Sequence, residues 1–379
     1  MAPPVDFDQR PLLVFWETTR ACGLACRHCR ASAQPAPLPG QLDAEESLAL
    51  LTQVAGFGHP SPVLIATGGD VLMRPDLDAL AVRAAELGLP LALAPSVTPL
   101  LTASRAAELR ELGVKVVSVS LDGATAARHE SIRGVEGHFE ATLRAIRLLR
   151  AEGLAVQVNT LVMRENVEGL PTVAAIVREE GAVIWELFFL IRVGRGQTLA
   201  ELSPAENEDV CHFLVDASRY GFVVRTVEAP FFRRVVSWRR EDPEPRGTGP
   251  LYERLAGDLR NRLGEPIGMT KAQTKGTRDG KGIVFVAHDG DVYPAGFLPL
   301  VLGNVRRERL IDIYRDHPLL RAIRAGHFTG RCGACEYRDL CGGSRARAYA
   351  ASGDPLGEDP ACDYVPGEQG AREPTISPT

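Results

Sequence analysis

Hydrophobic and polar positions alternate on two length scales between residue 12 and about residue 226. Short, nearly continuous apolar runs are followed by longer amphipathic stretches. Leu12–Thr18 reads as a buried strand. Asp43-Ala44-Glu45-Glu46 then opens a helix, with Asp43 as cap and Glu46 three residues on, and that helix ends near Gly56 and Gly58. The alternation continues as strand Val63–Ala66, helix Asp76–Leu87 closed by Gly88, strand Leu89–Ala94, a helix from Thr102 to Gly113, and the valine-rich strand Val114–Leu121. It repeats as helix Phe139–Glu152, strand Leu154–Val162, helix Leu170–Glu180 and strand Ala182–Leu190. Ser203-Pro204-Ala205-Glu206 starts the last helix with a cap, a proline at the first helical position and a glutamate at the third. Six strand-helix units predict an α/β fold with a parallel sheet, right-handed crossovers and helices outside. Counting leaves open whether the sheet curls into a partial barrel or stays flat. In both cases ligands meet the C-terminal strand ends.

The pattern changes after residue 226. Glu241–Pro250, rich in proline and glycine, reads as a linker, and Thr270–Gly282 as a mobile loop containing Lys271, Lys275 and Arg278. Ile283–Ala287 and Asp291–Tyr293 flank His288-Asp289-Gly290 and predict a hairpin. The expected organisation is a strand-helix domain over 1–226, a linker and bridging segment over 227–280, a small cysteine-rich domain over 281–366 and a disordered tail over 367–379.

Composition narrows the function classes. The chain has 379 residues, 45% hydrophobic and 24% charged, as ordinary globular proteins do. A net charge of −5 gives no pull toward nucleic acid or an anionic membrane, and no apolar run is long enough to span a bilayer. The N-terminal residues lack the pattern of a secretory signal, so a cytoplasmic location is expected. In that compartment the eight cysteines argue for metal ligation over disulfides. Seven of them fall in two groups, at 22–29 and 332–362. Cys211 stands apart on a helical apolar face and reads as packing.

Cys22, Cys26 and Cys29 form C-x3-C-x2-C directly after the first strand. Three thiolates can hold three irons of a [4Fe–4S] cube and leave the fourth open to a chelating molecule. A zinc site with His28 as a fourth ligand is the alternative, and it fits poorly because His28 sits between two of the cysteines. The spacing resembles the signature of the radical S-adenosylmethionine (radical SAM) superfamily. That resemblance implies a six-unit partial (β/α)6 barrel, a [4Fe–4S] cluster that binds S-adenosylmethionine, and a 5′-deoxyadenosyl radical that takes hydrogen from a substrate carbon. By the same resemblance Gly68, Gly69 and Asp70 match the glycine motif that receives the methionine amino group, although Val71 stands where proline is usual. Ser96, Ser120 and Asp122, with Ser118, resemble positions facing the ribose and carboxylate. Arg133 is a candidate fork for the carboxylate, and Asn159, with Gln157, a strand-end contact.

The second group, Cys332, Cys335, Cys341 and Cys362, supplies four ligands, enough for a second cube or for zinc. The surrounding text, from Asp291-Val292-Tyr293-Pro294-Ala295 through Gly303-Asn304-Val305, resembles the SPASM or twitch region of radical SAM maturases, which implies one auxiliary [4Fe–4S] cluster. Ala295 occupies a usual cysteine position there. Cys341-Gly342-Gly343-Ser344-Arg345-Ala346-Arg347 resembles the end of radical SAM enzymes that trim tetrapyrrole side chains, where a cysteine often replaces Ser344. Arg192, Arg195, Arg233, Arg234, Arg239, Arg240, Arg345 and Arg347 read either as forks for substrate carboxylates or as a solvated basic face. The resemblance thus implies a tetrapyrrole substrate and an electron donor such as flavodoxin or ferredoxin, with no nucleic-acid or membrane partner. Maturation of a ribosomally made peptide is the alternative, and a non-catalytic iron–sulfur scaffold a third reading.

Overall fold

The structure, a computed structural model, describes residues 5–245, 247–266, 268–274 and 276–367. Of the expected tail, 368–379 lie outside the described residues, as does Lys275. The elements in chain order are β1 (Leu13–Glu17), α1 (Ala44–Ala55), β2 (Val63–Thr67), α2 (Leu77–Glu86), β3 (Leu91–Leu93), α3 (Ala103–Glu111), β4 (Val116–Ser120), α4 (Ala126–Arg133), α5 (His138–Ala151), β5 (Ala155–Val162), α6 (Leu170–Glu179), β6 (Ile184–Phe189) and α7 (Pro204–Ala217). Then follow β7 (Val223–Val227), α8 (Phe232–Glu241), α9 (Pro250–Leu263), β8 (Ile283–Val286), β9 (Asp291–Tyr293), β10 (Gly303–Asn304), α10 (Leu310–Asp316), α11 (Pro318–Arg324), α12 (Gly330–Ala334) and α13 (Arg345–Ser352). All six expected strands up to residue 190 and the helices between them are present. The strand order is open, not cyclic.

The chain divides into two compact units. Unit 1 comprises residues 1–120, 130–157 and 279–325, and unit 2 residues 121–129, 158–278 and 326–379. In unit 1 the strands run in the order β10-β9-β8-β1-β2-β3-β4. β1 is parallel to β2 on one side and to β8 on the other, with Trp16 opposite Ala66 and Val286. Being flanked on both edges explains the continuous apolar run of β1. Its side chains pack into a core with Leu50, Leu51 and Val54 of α1 and with Leu310, Tyr314 and Leu320 of α10 and α11. The capping box of α1 forms as its sequence dictates: Glu46 N donates to Asp43 Oδ1 (2.9 Å) and Asp43 N to Glu46 Oε2 (3.0 Å).

In unit 2, β6 and β7 are parallel, with Trp185 opposite Val224. α7 is capped by Ser203 and Glu206 in the same reciprocal way, and it packs against α8 and α9, while α9 also meets α6. Buried Arg234 of α8 reaches Glu208 of α7 through two hydrogen bonds of 2.7 Å.

The linker and bridging segment 227–280 is not without regular structure: it carries α8 and α9, joined by the stretch read as a linker. Leu251, Leu255 and Leu259 lie at the four-residue spacing of a helix face and are buried. Thr270–Gly282 is not a free loop either. Val224 N donates to Lys271 O (3.2 Å), Gln273 N donates to Val224 O (2.9 Å), and Arg278 and Asp279 are buried. Parallel pairing with β1 places the β8–β9 hairpin in the sheet of unit 1.

Glu17 ends β1 with its side chain wholly buried. Arg20 Nε (2.9 Å), Arg30 Nη2 (2.6 Å) and His288 Nδ1 (3.3 Å) surround its carboxylate. Burial works to raise its pKa, but the His288 contact and the charges of Arg30 and Arg20 outweigh it and hold the group at about 2. A carboxylate whose folded pKa is depressed stabilises fully above its unfolded value and loses that contribution as pH falls toward the folded one. Glu17 therefore contributes about 3 kcal/mol that disappears as pH drops from about 4.5 toward 2. Urea unfolding across that window is expected to show a shallower acid limb for Glu17→Gln than for the parent. Equal slopes would remove Glu17 as the source.

Candidate functional site

β1 delivers the chain into the loop of the first cysteines at the C-terminal edge of unit 1. The loop closes on itself through a short parallel bridge: Cys22 N donates to Gln34 O (2.8 Å) and Gln34 N to Arg20 O (2.9 Å). Within it Cys22, Cys26 and Cys29 cluster with Leu24 and Ala33, Cys22 and Cys26 being buried and Cys29 half-buried. Every thiol receives a donor. Leu24 N lies 3.3 Å from Cys22 Sγ, Ala33 N 3.4 Å from Cys29 Sγ, and Arg133 Nη1 3.6 Å from Cys26 Sγ.

The glycine turn after β2 is joined to this loop backbone to backbone. Gly69 N donates to Thr19 O (2.8 Å) and Asp70 N to Ala21 O (2.7 Å). A Cβ at Gly68 would lie 2.3 Å from Thr19 O, and one at Gly69 2.2 Å from Ala21 O; Gly68 also has φ +145°. The sequence led us to expect these glycines to admit a ligand. The structure shows that they first admit the cysteine loop.

Asp70 is buried. Its Oδ1 accepts Leu72 N (3.1 Å) and Ser96 N (3.2 Å), and its Oδ2 accepts Thr98 Oγ1 (2.8 Å). Burial raises its pKa against the pull of these donors. Ser96 Oγ donates to Gly69 O (3.0 Å) and sits 3.4 Å from Cys22 Sγ, so strand-end serine, glycine turn and first thiol form one connected patch. Thr98 and Arg74 went unremarked in the sequence. Arg74 is buried and ties Thr18 O (2.8 Å), Ser47 Oγ (3.0 Å) and Asp76 Oδ2 (2.7 Å) behind the turn. Neither carries a local motif that would have marked it.

Of the remaining candidates, Ser120 ends β4 and is half-buried in unit 1, where Arg133 ends α4 against Cys26. Asp122 and Asn159 belong to unit 2. There Asp122 Oδ1 accepts Leu161 N (2.8 Å), Asp122 N donates to His129 Nδ1 (3.1 Å), and Asn159 O accepts Leu121 N (2.8 Å). Asp122 thus ties the backbone of β5 to the turn after β4.

The second cysteine group lies wholly in unit 2. Asp359 N points at Cys332 Sγ (3.3 Å), Tyr337 N at Cys335 Sγ (3.4 Å) and Gly343 N at Cys341 Sγ (3.5 Å). Burial pushes Cys335 and Cys341 up to about 11 and Cys362 to about 12, and neighbouring thiols of the group add to each rise. Among the described residues no three His, Cys, Asp or Glu side chains converge on a point that one metal ion would fill. A cube, which gives each thiolate its own iron, does not ask them to.

Of the arginines that the sequence placed at a solvated face or a substrate mouth, Arg192 and Arg240 are exposed, whereas Arg234, Arg345 and Arg347 turn inward. Arg234 is paired with Glu208 and stacked on Trp238 and Tyr364. Arg345 reaches Gly357 O (2.6 Å) and Cys332 Sγ (3.6 Å). Arg347 reaches Glu228 O (2.8 Å) and Leu190 O (3.3 Å). Ser344 caps α13 by accepting Arg347 N (3.0 Å) and donates to Glu228, a buried residue at φ +60°. A cavity of about 100 Å³ at the ends of β5 and β6 is lined by Val162, Phe189, Leu202, Glu201 and Arg347. Burial raises the pKa of Glu201 there, with Arg347 opposing.

Residues 16–175 match the Radical SAM superfamily, and residues 278–336 an iron–sulfur cluster-binding domain called SPASM. The AdoMet-dependent heme synthase of Nitratidesulfovibrio vulgaris is 36% identical, covering 93% of this chain and 92% of that protein. The Fe-coproporphyrin III synthase of Methanosarcina barkeri is 30% identical, covering 97% and 91%. The crystal structure of Streptococcus suis SuiB bound to S-adenosylmethionine superposes with a TM-score of 0.69 at 14% identity, covering 94% of this chain and 78% of that one.

The backbone joint between glycine turn and cysteine loop is expected to be needed for metal loading. Gly69→Ala should lose iron from the first site while the second group keeps its own, read as iron per chain after anaerobic reconstitution. Undiminished iron would show that the loop tolerates the intruding Cβ.

Proposed function

This chain belongs to the radical SAM superfamily, and from that premise we propose that it modifies a side chain of a tetrapyrrole, with Cys22, Cys26 and Cys29 holding the catalytic cluster. The family's [4Fe–4S] cluster and S-adenosylmethionine supply, when bound, the electron and the 5′-deoxyadenosyl radical that removes hydrogen from an unreactive carbon. The residues present fit that group. Three buried or half-buried soft ligands crowd one loop and leave a fourth corner without a protein thiol.

The protein's own part is positional. The hydrogen bonds from Gly69 and Asp70 to the cysteine loop fix the ligand-bearing backbone against the strand ends. Asp70 orients Ser96 and Thr98 and places a negative carboxylate beside the turn, where it complements an ammonium. Arg133 donates to Cys26, and its fork suits a carboxylate. Gly68, Gly69, Asp70, Ser96, Ser120 and Arg133 in unit 1 make up the set we assign to S-adenosylmethionine. Cys332, Cys335, Cys341 and Cys362 are assigned to one auxiliary [4Fe–4S] cluster, in keeping with the SPASM match.

The observation that carries the substrate class is identity of 36% to a heme synthase over nearly the whole length of both chains, together with the Cys341–Arg347 motif. We place the enzyme in the cytoplasm, served by a low-potential donor of the flavodoxin or ferredoxin class. Among the described residues no helix is long and apolar enough to cross a membrane.

Anaerobic incubation with dithionite, S-adenosylmethionine and a panel of porphyrinoids and peptides tests the proposal. Formation of 5′-deoxyadenosine with a changed porphyrinoid mass is the expected result. A changed peptide mass with every porphyrinoid untouched would move the assignment to peptide maturation, and absence of 5′-deoxyadenosine would favour a non-catalytic scaffold. Cys26→Ala should abolish cleavage while the second group's iron remains; retained cleavage would refute the ligand assignment.

A further inference from the structure

Two guanidinium groups, Arg278 and Arg345, crowd the second cysteine group. Both stack on one ring, with Arg345 4.4 Å and Arg278 5.3 Å from the centre of Phe328. Arg345, wholly buried, donates to the carbonyls of Gly343, Pro355 and Gly357 and to Cys332 Sγ. Arg278 is 4% exposed. Its Nη1 donates to the carbonyls of Cys341 (3.1 Å), Arg338 (3.3 Å) and Asp339 (3.4 Å). Its Nε and Nη2 are buried and have no hydrogen-bond partner among the described residues. Asp339, the acid whose charge bears on Arg278, has a largely exposed side chain shared with Arg338.

The sequence makes deliberate room for this crowding. Gly342 and Gly343 follow Cys341 with φ of +69° and +63°. A Cβ on Gly342 would lie 2.4 Å from Arg278 Nη1, and one on Gly343 2.4 Å from Arg345 Nη2 and 2.9 Å from Cys332 Sγ. Both glycines therefore exist where the arginines reach the turn that bears the thiols. A buried cation with two unmade hydrogen bonds is costly to fold without an anion to receive them.

We propose that Arg278 is a positioning residue for the auxiliary cluster, donating Nε–H and Nη2–H to it and thereby raising its reduction potential. This rests on the assignment of Cys332, Cys335, Cys341 and Cys362 to that cluster. Reduction adds one electron, and so one negative charge, to the group. A fixed cation with donors in a dry site favours the more negative state. Arg345 acts on Cys332 in the same sense.

The test uses the full chain with Cys22→Ala, Cys26→Ala and Cys29→Ala together, so that only the second group can carry iron. Iron and sulfide per chain are measured, then the midpoint potential is read by electron paramagnetic resonance during dithionite titration. Arg278→Gln is expected to keep the iron and to lower the equilibrium constant for reduction about tenfold, a shift of about 59 mV for one electron. Arg338→Gln removes the same charge from an exposed site and should leave the potential in place. An unchanged potential in Arg278→Gln with iron retained overturns the proposal, and so does an equal shift in Arg338→Gln. Should Arg278→Gln fail to hold iron, Arg278→Lys decides, since its shorter-reaching single ammonium keeps the charge but cannot place two donors where Nε and Nη2 stand. A lower potential supports donation and an unchanged one overturns it. A parent that binds no iron at this group would instead sink the auxiliary-cluster assignment itself.

Discussion

The first site depends on two strands of backbone lying closer than side chains would allow. Gly68 and Gly69 have no Cβ, so the turn after β2 comes within hydrogen-bond distance of Thr19 and Ala21, and the cysteine loop inherits the rigidity of the parallel sheet. A loop of three thiols, with no regular structure of its own, would otherwise sample many arrangements. Here its base is held by the Ala21–Gln34 bridge, its side by the glycine turn and its underside by Arg74. Asp70 extends the same scaffold toward β3 by fixing Ser96 and Thr98. Ligand placement is thus a property of the sheet edge and not of the loop alone.

The second cysteine group is organised by charge as much as by packing. Arg234 is neutralised by Glu208 in a buried two-pronged pair, a costly arrangement to desolvate and a costly one to break. Arg347 is absorbed by carbonyls, with Asp359 (3.4 Å) and Glu201 (3.7 Å) nearby. Trp238, Tyr337 and Tyr364 meet edge to face, with Arg234 over two of the rings. These contacts flank the second group, in which Cys341 is buried and Cys332, Cys335 and Cys362 are half-buried.

Ala295 and Ser344, which stand at positions where cysteine is usual or frequent in the enzymes this chain resembles, have ordinary structural duties. Ala295 bridges to Leu298 in a tight turn, and Ser344 caps α13 while bonding Glu228. The four cysteines of the second group fit a single auxiliary cluster without them.

Much of this was legible from the chain alone. The apolar runs of β1 to β6, the capping boxes at Asp43 and Ser203, and the glycine stops identified the β-α units, because those signals are local and written within a turn or two of the element they control. C-x3-C-x2-C and the Gly68-Gly69-Asp70 turn marked the site for the same reason. Tertiary structure alone decided what depends on partners far along the chain. The β8–β9 hairpin joins the sheet of unit 1 because β1 offers it a free parallel edge. Arg234, Arg345 and Arg347 turn inward because Glu208, carbonyl groups and Cys332 await them. α8 and α9 were hidden by arginine, proline and glycine, whose local preferences burial overrode. Periodicity and spacing are properties of neighbours in sequence, whereas charge pairing and backbone approach are properties of neighbours in space.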